Sequence, residues 1–167
     1  FGYAFQSYWD AGYQIHIHQN GDLGLDLVLD NLEACMRRNP RHDHRTVIAH
    51  FGFATRGQVE RIGRLGAIVS ANPYYVSALA DKYGELGVGP QRSDEMVRLG
   101  DVERAGIGFS LHDDMPMAPA QPLFLMHAAV NRTTFSGRVA GPEQRVSREG
   151  ALRAVTIDAA YSLRLEK

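Results

Sequence analysis

The run Tyr13-Gln14-Ile15-His16-Ile17-His18, followed by Gln19-Asn20-Gly21-Asp22 and an amphipathic stretch over residues 23–36, decides the architecture. In an extended segment side chains two apart point the same way, so Ile15 and Ile17 share one face while Gln14, His16 and His18 share the other. Leu25, Val28, Leu29, Leu32 and Cys35 then recur at the three- and four-residue spacing of a helix buried along one side. Arg37-Arg38-Asn39-Pro40 ends that helix: basic side chains suit the negative end of the helix dipole, and proline cannot continue it. Strand, short turn and helix make one unit.

The unit repeats. Residues 46–50, 67–71 and 107–112 have the near-continuous apolar character of strands covered on both faces. Thr55 with Gln58 three residues on has the form of a capping box, and the helix it opens runs through Val59 and Ile62 to Leu65-Gly66. The third strand ends at Asn72-Pro73 and leads into a less regular region, 74–106, in which Gly84, Gly87, Gly89 and Pro90 mark loop between helical pieces. After the fourth strand, prolines at 116, 119 and 122 stiffen a loop before a helix over 123–130. Residues 133–145 read as a surface loop, and Ser147 caps a last helical region reaching about residue 163. Alternating strands and helices imply an α/β fold with a parallel sheet and right-handed crossovers, and no linker divides the 167 residues into separate domains.

Composition narrows the function. With 44% hydrophobic and 22% charged residues the chain can bury a sizeable core. A formal net charge of −1 without a Lys/Arg cluster removes the electrostatic footprint of nucleic-acid or anionic-membrane binding. No apolar run approaches the roughly 18 residues of a membrane span, and no signal-peptide layout opens the chain, so a cytoplasmic location is the expectation. The single cysteine, Cys35, lies on the apolar helix face and reads as a core thiol. A small-molecule substrate remains, with homo-oligomerisation open.

Parallel strands present functional side chains at their C-terminal ends. His18 is then the last inward residue of the first strand, and His50 closes the apolar run Val47-Ile48-Ala49. In Gly108-Phe109-Ser110-Leu111-His112-Asp113-Asp114 alternation turns Asp114 inward and Asp113 outward. Asn72 ends the third strand at the same rim. Imidazole and carboxylate donors suit zinc first, and also manganese or iron; such a cation lowers the pKa of a bound water to about 7. A carboxylate beside that water accepts its proton and passes it to a leaving nitrogen, the position that Asp114 fits. Against this stands the plain structural reading, in which strand-terminal histidines are hydrogen-bonded framework residues.

His18-Gln19-Asn20-Gly21-Asp22, Ala49-His50-Phe51 and Leu111-His112-Asp113-Asp114-Met115-Pro116 resemble the YtcJ-like branch of the metal-dependent amidohydrolase superfamily. The resemblance continues through Pro142-Glu143-Gln144-Arg145 and the run from Ala151 to Ala160, covering nearly the whole chain. It implies a distorted (β/α)8 barrel with metal ligands on strands one, four, five, six and eight. By that likeness His18 matches strand five, His50 strand six and Asp114 strand eight, so the chain corresponds to a partial domain, strands five to eight, without the first half-barrel or the β-sandwich. The implied site holds one or two divalent ions and hydrolyses a non-peptide C–N bond in an amide, N-formyl or cyclic amide. Half a site binds metal poorly and turns over little alone, and half a barrel has open strand edges.

Some features compete with this reading. His16-Ile17-His18 also has the form of a strand-one HxH pair, although Gly21-Asp22 and the downstream order favour strand five. His42-Asp43-His44 has that form as well, but precedes its strand and reads as a solvated loop. His112-Asp113 stands where relatives carry a Gly-Ser pair, which leaves open whether Asp113 or Asp114 meets the metal and whether His112 enters the pocket. His16, Asp22, Asn72, Tyr74 and His112 are candidate substrate-lining residues, with Tyr75 beside Tyr74. The alternatives are a non-catalytic α/β module, and the same fold acting as a deaminase or lactonase.

Overall fold

The computed structural model describes all residues, 1–167, and centres on a four-stranded parallel sheet in the order β1-β2-β3-β4. The strands are β1 (His16–Gln19), β2 (Val47–His50), β3 (Ile68–Ala71) and β4 (Phe109–Leu111). The four segments read from sequence are all present, each shortened by one to three residues at its start. The trimmed residues still bond across the sheet: Val47 N donates to Ile15 O and Ile68 N to Thr46 O. No helix is long and apolar enough to cross a membrane.

Register explains the layers. Ile17, Ile48, Val69 and Phe109 lie side by side across the sheet, and so do His18, Ala49, Ser70 and Ser110 one step along. Paired residues of parallel strands face the same way, so the first row joins the core beneath the helices while the second forms the opposite, more polar face. Ile48 and Val69 are fully buried in a core of 30 residues, whereas His16 and His18 are exposed. β1 and β4 each pair along one edge only.

Helix α2 (Asp22–Arg38) buries the stripe Leu25, Val28, Leu29, Leu32 and Cys35, the face its periodicity predicts. Helix α3 (Arg56–Leu65) starts in a full capping box, Thr55 Oγ1 accepting from Gln58 N and Gln58 Oε1 from Thr55 N, and ends on left-handed Gly66. An additional helix, α1 (Gly2–Asp10), seats the fully buried Trp9 against His44, with ring centroids 5.1 Å apart. His44 is therefore no solvated loop residue: its ring nitrogens engage Thr46 Oγ1 and Leu65 O, both at 2.8 Å.

The region 74–106 is more regular than its glycines suggest, with α4 (Tyr74–Leu86), α5 (Pro90–Asp94) and α6 (Leu99–Arg104). Gly84 lies inside α4, facing the start of α5, rather than in a loop. After β4 come α7 (Pro122–Asn131), α8 (Arg148–Ala154) capped by Ser147, and α9 (Ile157–Ser162). The segment 133–145 is anchored rather than a free surface loop: Gln144 is buried and its Nε2 donates to Asp101 Oδ2 at 2.9 Å. The end of the chain returns to the lower rim, where Arg45 lies 3.7 Å over the Tyr161 ring and 2.8 Å from Glu166.

Candidate functional site at the strand ends

His18, His50 and His112 gather at the C-terminal ends of β1, β2 and β4. The His18 and His50 ring centroids are 4.2 Å apart and those of His50 and His112 4.8 Å apart. Asp114 Oδ2 lies 4.0 Å from His50 Nδ1, and the Asp114 side chain is 50% exposed, so it reaches both the rings and solvent. Residues far apart in the chain thus meet at one mouth of the sheet.

His50 arrives there by a device that alternation does not supply. Its register partners Gln19, Ala71 and Leu111 belong to the helix-facing rows. His50 escapes that row because its backbone is left-handed, φ 70°, as is Phe51 with φ 54°. Asp114 is left-handed too, φ 59°. For non-glycine residues this conformation costs roughly 1–2 kcal/mol each and concentrates where function demands an awkward projection.

One edge of the His50 ring is anchored. Nδ1 lies 3.1 Å from His112 Nε2 and 3.4 Å from the Tyr75 hydroxyl. His112 Nδ1 in turn lies 3.0 Å from Ser70 Oγ. His18 Nε2 accepts from Asn20 Nδ2 at 3.2 Å. Burial first, and His18 second, lower the pKa of His50. The same burial, reinforced by His50, pushes His112 down to about 4. Both rings are accordingly neutral at neutral pH, the state in which an imidazole offers a lone pair to a metal.

The remaining candidates lie around this cluster. His16 sits one step down the face of His18, where its Nε2 accepts from Gln14 at 3.1 Å, apart from the three grouped rings. Asp22 opens α2 and pairs with Arg92 at 2.8 Å. Asn72 is wholly buried: Oδ1 accepts from Tyr74 N, and Nδ2 donates to Asp113 O at 3.4 Å, tying the end of β3 to the loop that carries Asp114. Tyr74 turns onto Phe124 and Phe135, both 5.7 Å away, while Tyr75 stacks at 6.2 Å from His50. His112 joins the cluster. Tyr75, expected beside Tyr74 as a pocket-lining residue, touches the cluster where Tyr74 does not, and Ser70 was not singled out as a site residue.

A divalent cation fits the chemistry of His18, His50 and Asp114, yet no group of three His, Cys, Asp or Glu side chains in this chain is arranged to hold one. The chain offers a partial donor set.

Protonation of the cluster should weaken the metal-free fold. His112 titrates near 6.5 when unfolded and near 4 when folded, so between those values the unfolded state binds the extra proton. Stability should be full above about pH 6.5, fall as the pH drops toward 4 by on the order of 3 kcal/mol, and level off below. Urea midpoints across this range should give a visibly shallower slope in His112→Gln; identical slopes would remove His112 as the group responsible.

The family model described as "Amidohydrolase family" matches residues 5–167. An N-substituted formamide deformylase from Arthrobacter pascens is 33% identical over 155 residues, 90% of this chain and 28% of its own length. Protein LONG AFTER FAR-RED 3 of Arabidopsis thaliana is 30% identical over 93% of this chain and 27% of its own. Among solved structures, an uncharacterized metal-dependent hydrolase from Pyrococcus furiosus superposes with TM-score 0.72 at 26% identity, covering 92% of this chain and 30% of that one. The chain thus spans less than a third of the length of these relatives. With a family match along nearly all of its length and a parallel sheet whose strand ends gather imidazoles and a carboxylate, this chain belongs to the amidohydrolase family.

Proposed function

We propose that this chain supplies strands five to eight of a metal-dependent (β/α)8-barrel hydrolase that cleaves a non-peptide C–N bond, in an amide, N-formyl or cyclic amide substrate. The observation that carries the reading is the convergence of His18, His50 and Asp114 from three strand ends. The relatives named as a deformylase and a metal-dependent hydrolase support the bond type and the metal. In this reading His18 and His50 hold the cation, zinc first, Asp114 serves as a further ligand or as the proton shuttle, and the remaining ligands come from outside the chain.

A bound cation would supply the Lewis acidity that makes hydroxide available near pH 7. His50 offers Nε2, since its Nδ1 edge is taken up by His112 and Tyr75; fixing the far nitrogen is how proteins orient a ligating imidazole. Asp114, half exposed beside His50, accepts the proton of the attacking water and returns it to the leaving nitrogen.

Asp114→Asn tests the proton role with the backbone preserved, because asparagine tolerates the left-handed region well. We expect kcat to fall at least about a hundredfold, the usual contribution of a positioned acid–base group, with folding intact. Metal analysis accompanies it. Near-stoichiometric zinc is expected in the protein carrying this chain with the rest of a barrel, and far less in the chain by itself. A fully active, metal-free protein would defeat the proposal.

A further inference from the structure

His112 is the one ring of the cluster to which the proposed reaction gives no task of its own. It lies two residues after Ser110, and its backbone N donates to Ala71 O at 2.9 Å, so the pairing of β4 with β3 runs one residue past the strand. Alternation then turns its side chain to the polar face, where Ser70 and Ser110 are register partners. There the ring bridges two strands: Nδ1 lies 3.0 Å from Ser70 Oγ on β3, and Nε2 lies 3.1 Å from His50 Nδ1 at the end of β2.

A neutral imidazole has one N–H and one lone pair. Between His112 Nε2 and His50 Nδ1 one nitrogen donates and the other accepts, so the two tautomers are locked together. Two arrangements satisfy both contacts. In the first, Ser70 donates to His112 Nδ1, His112 Nε2–H donates to His50 Nδ1, and the His50 proton sits on Nε2, where it blocks coordination. In the second, His50 Nδ1–H donates to His112 Nε2, His112 Nδ1–H donates to Ser70 Oγ, and His50 Nε2 keeps a free lone pair.

We propose that His112 and Ser70 form a relay that holds His50 in the second arrangement, which makes both of them positioning residues and rules out His112 as a metal ligand. The inference rests on the reading of His50 as a ligand and assigns the residues that set its tautomer. Neither nitrogen of His112 is left for a cation, because one carries the proton given to Ser70 and the other accepts from His50. The Tyr75 hydroxyl, at 3.4 Å, is the longer contact on the same edge of His50. Ser70 closes the relay: without its hydroxyl, the half-buried His112 would have its Nδ1–H unpaired in the arrangement that coordination needs, and an unpaired buried donor is costly.

The test reads the nitrogens directly. In the intact protein loaded with 113Cd and labelled with 15N-histidine, scalar coupling to cadmium should appear on His50 Nε2 and on neither nitrogen of His112. Ser70→Ala should weaken zinc binding about 10–100-fold, the usual effect of removing an outer partner of a ligating histidine, and Ser70→Thr, which keeps the hydroxyl, should restore most of it. A Ser70 present only for packing would shift the melting temperature and leave zinc affinity unchanged. Cadmium coupling on His112, on His50 Nδ1, or on neither ring overturns the relay, and hydrolysis persisting in that protein would leave the hydrolase reading standing. Coupling on His50 Nε2 in a protein that hydrolyses no amide keeps the relay and removes the hydrolase reading. Should either Ser70 variant fail to fold, the cadmium couplings of the wild-type protein decide alone.

Discussion

In the metal-loaded protein, His50→Gly is expected to keep its fold while losing hydrolysis by at least about a thousandfold and most of its bound metal. The two halves of that expectation have separate causes. Glycine adopts the left-handed backbone of position 50 freely, so the substitution relieves the roughly 1–2 kcal/mol that a side-chain-bearing residue incurs at φ 70°. That relief offsets most of what is lost when the contacts of the 8% exposed imidazole disappear and the unfolded chain becomes more flexible. The melting temperature should therefore move by only a few degrees. Activity has no such compensation, because a Lewis-acid contribution of several kcal/mol disappears with the ligand, and each 1.36 kcal/mol is tenfold in rate. A residue present for packing alone would give the opposite pattern, a lower melting temperature with activity in step. Hydrolysis within tenfold of wild type in a folded His50→Gly would end the claim that His50 holds the cation.

This residue also shows where sequence reasoning stops. The parallel α/β order was legible because hydrophobic periodicity changes from two to 3.6 at Gly21-Asp22 and again after Thr55, and both helices bury the predicted stripes. His18 was legible from alternation. Asp114 and His50 followed from their position at strand ends and from family likeness, but neither backbone twist was visible, since a left-handed histidine or aspartate leaves no trace in composition. Ser70 escaped notice because its role depends on an inward serine facing a ring supplied by another strand, and Tyr75 was legible only as a pocket-lining neighbour of Tyr74, its contact with His50 depending on how the start of a helix faces that ring. The burial of His44 was missed for the same kind of reason: its cover, Trp9, belongs to a helix with only two buried residues and no cap. The segment 133–145 was misjudged because its polar residues look solvated until Gln144 and Arg132 find their partners.

Arg132 supports the largest stability prediction. Its side chain is 1% exposed and donates to four backbone carbonyls: Nε to Ala140 at 2.6 Å, Nη1 to Val97 at 3.1 Å, and Nη2 to Asp94 at 2.9 Å and Met96 at 2.8 Å. No carboxylate touches it, and burial lowers its pKa to about 10, which still leaves it charged at neutral pH. Arg132→Met should fill similar volume but leave the carbonyls of Asp94, Met96 and Ala140 without this donor, while Val97 O keeps Leu99 N. An unsatisfied buried acceptor costs about 1–3 kcal/mol, so even a partly relaxed loop should lose about 4 kcal/mol or more, a large share of the 5–15 kcal/mol typical of a domain. Arg132→Lys should rescue little, because a point ammonium with three donors cannot span four carbonyls arranged for a planar fork. Denaturant midpoints of both variants check this directly, and a midpoint near wild type for either would show that solvent or neighbouring groups replace the fork. The consequence reaches the strand ends: Arg132 holds Met96 and Val97, and Val97 bonds to Gly52, two residues beyond His50. Loosening this buried cation should therefore loosen the backbone just beyond His50 before the sheet itself unfolds.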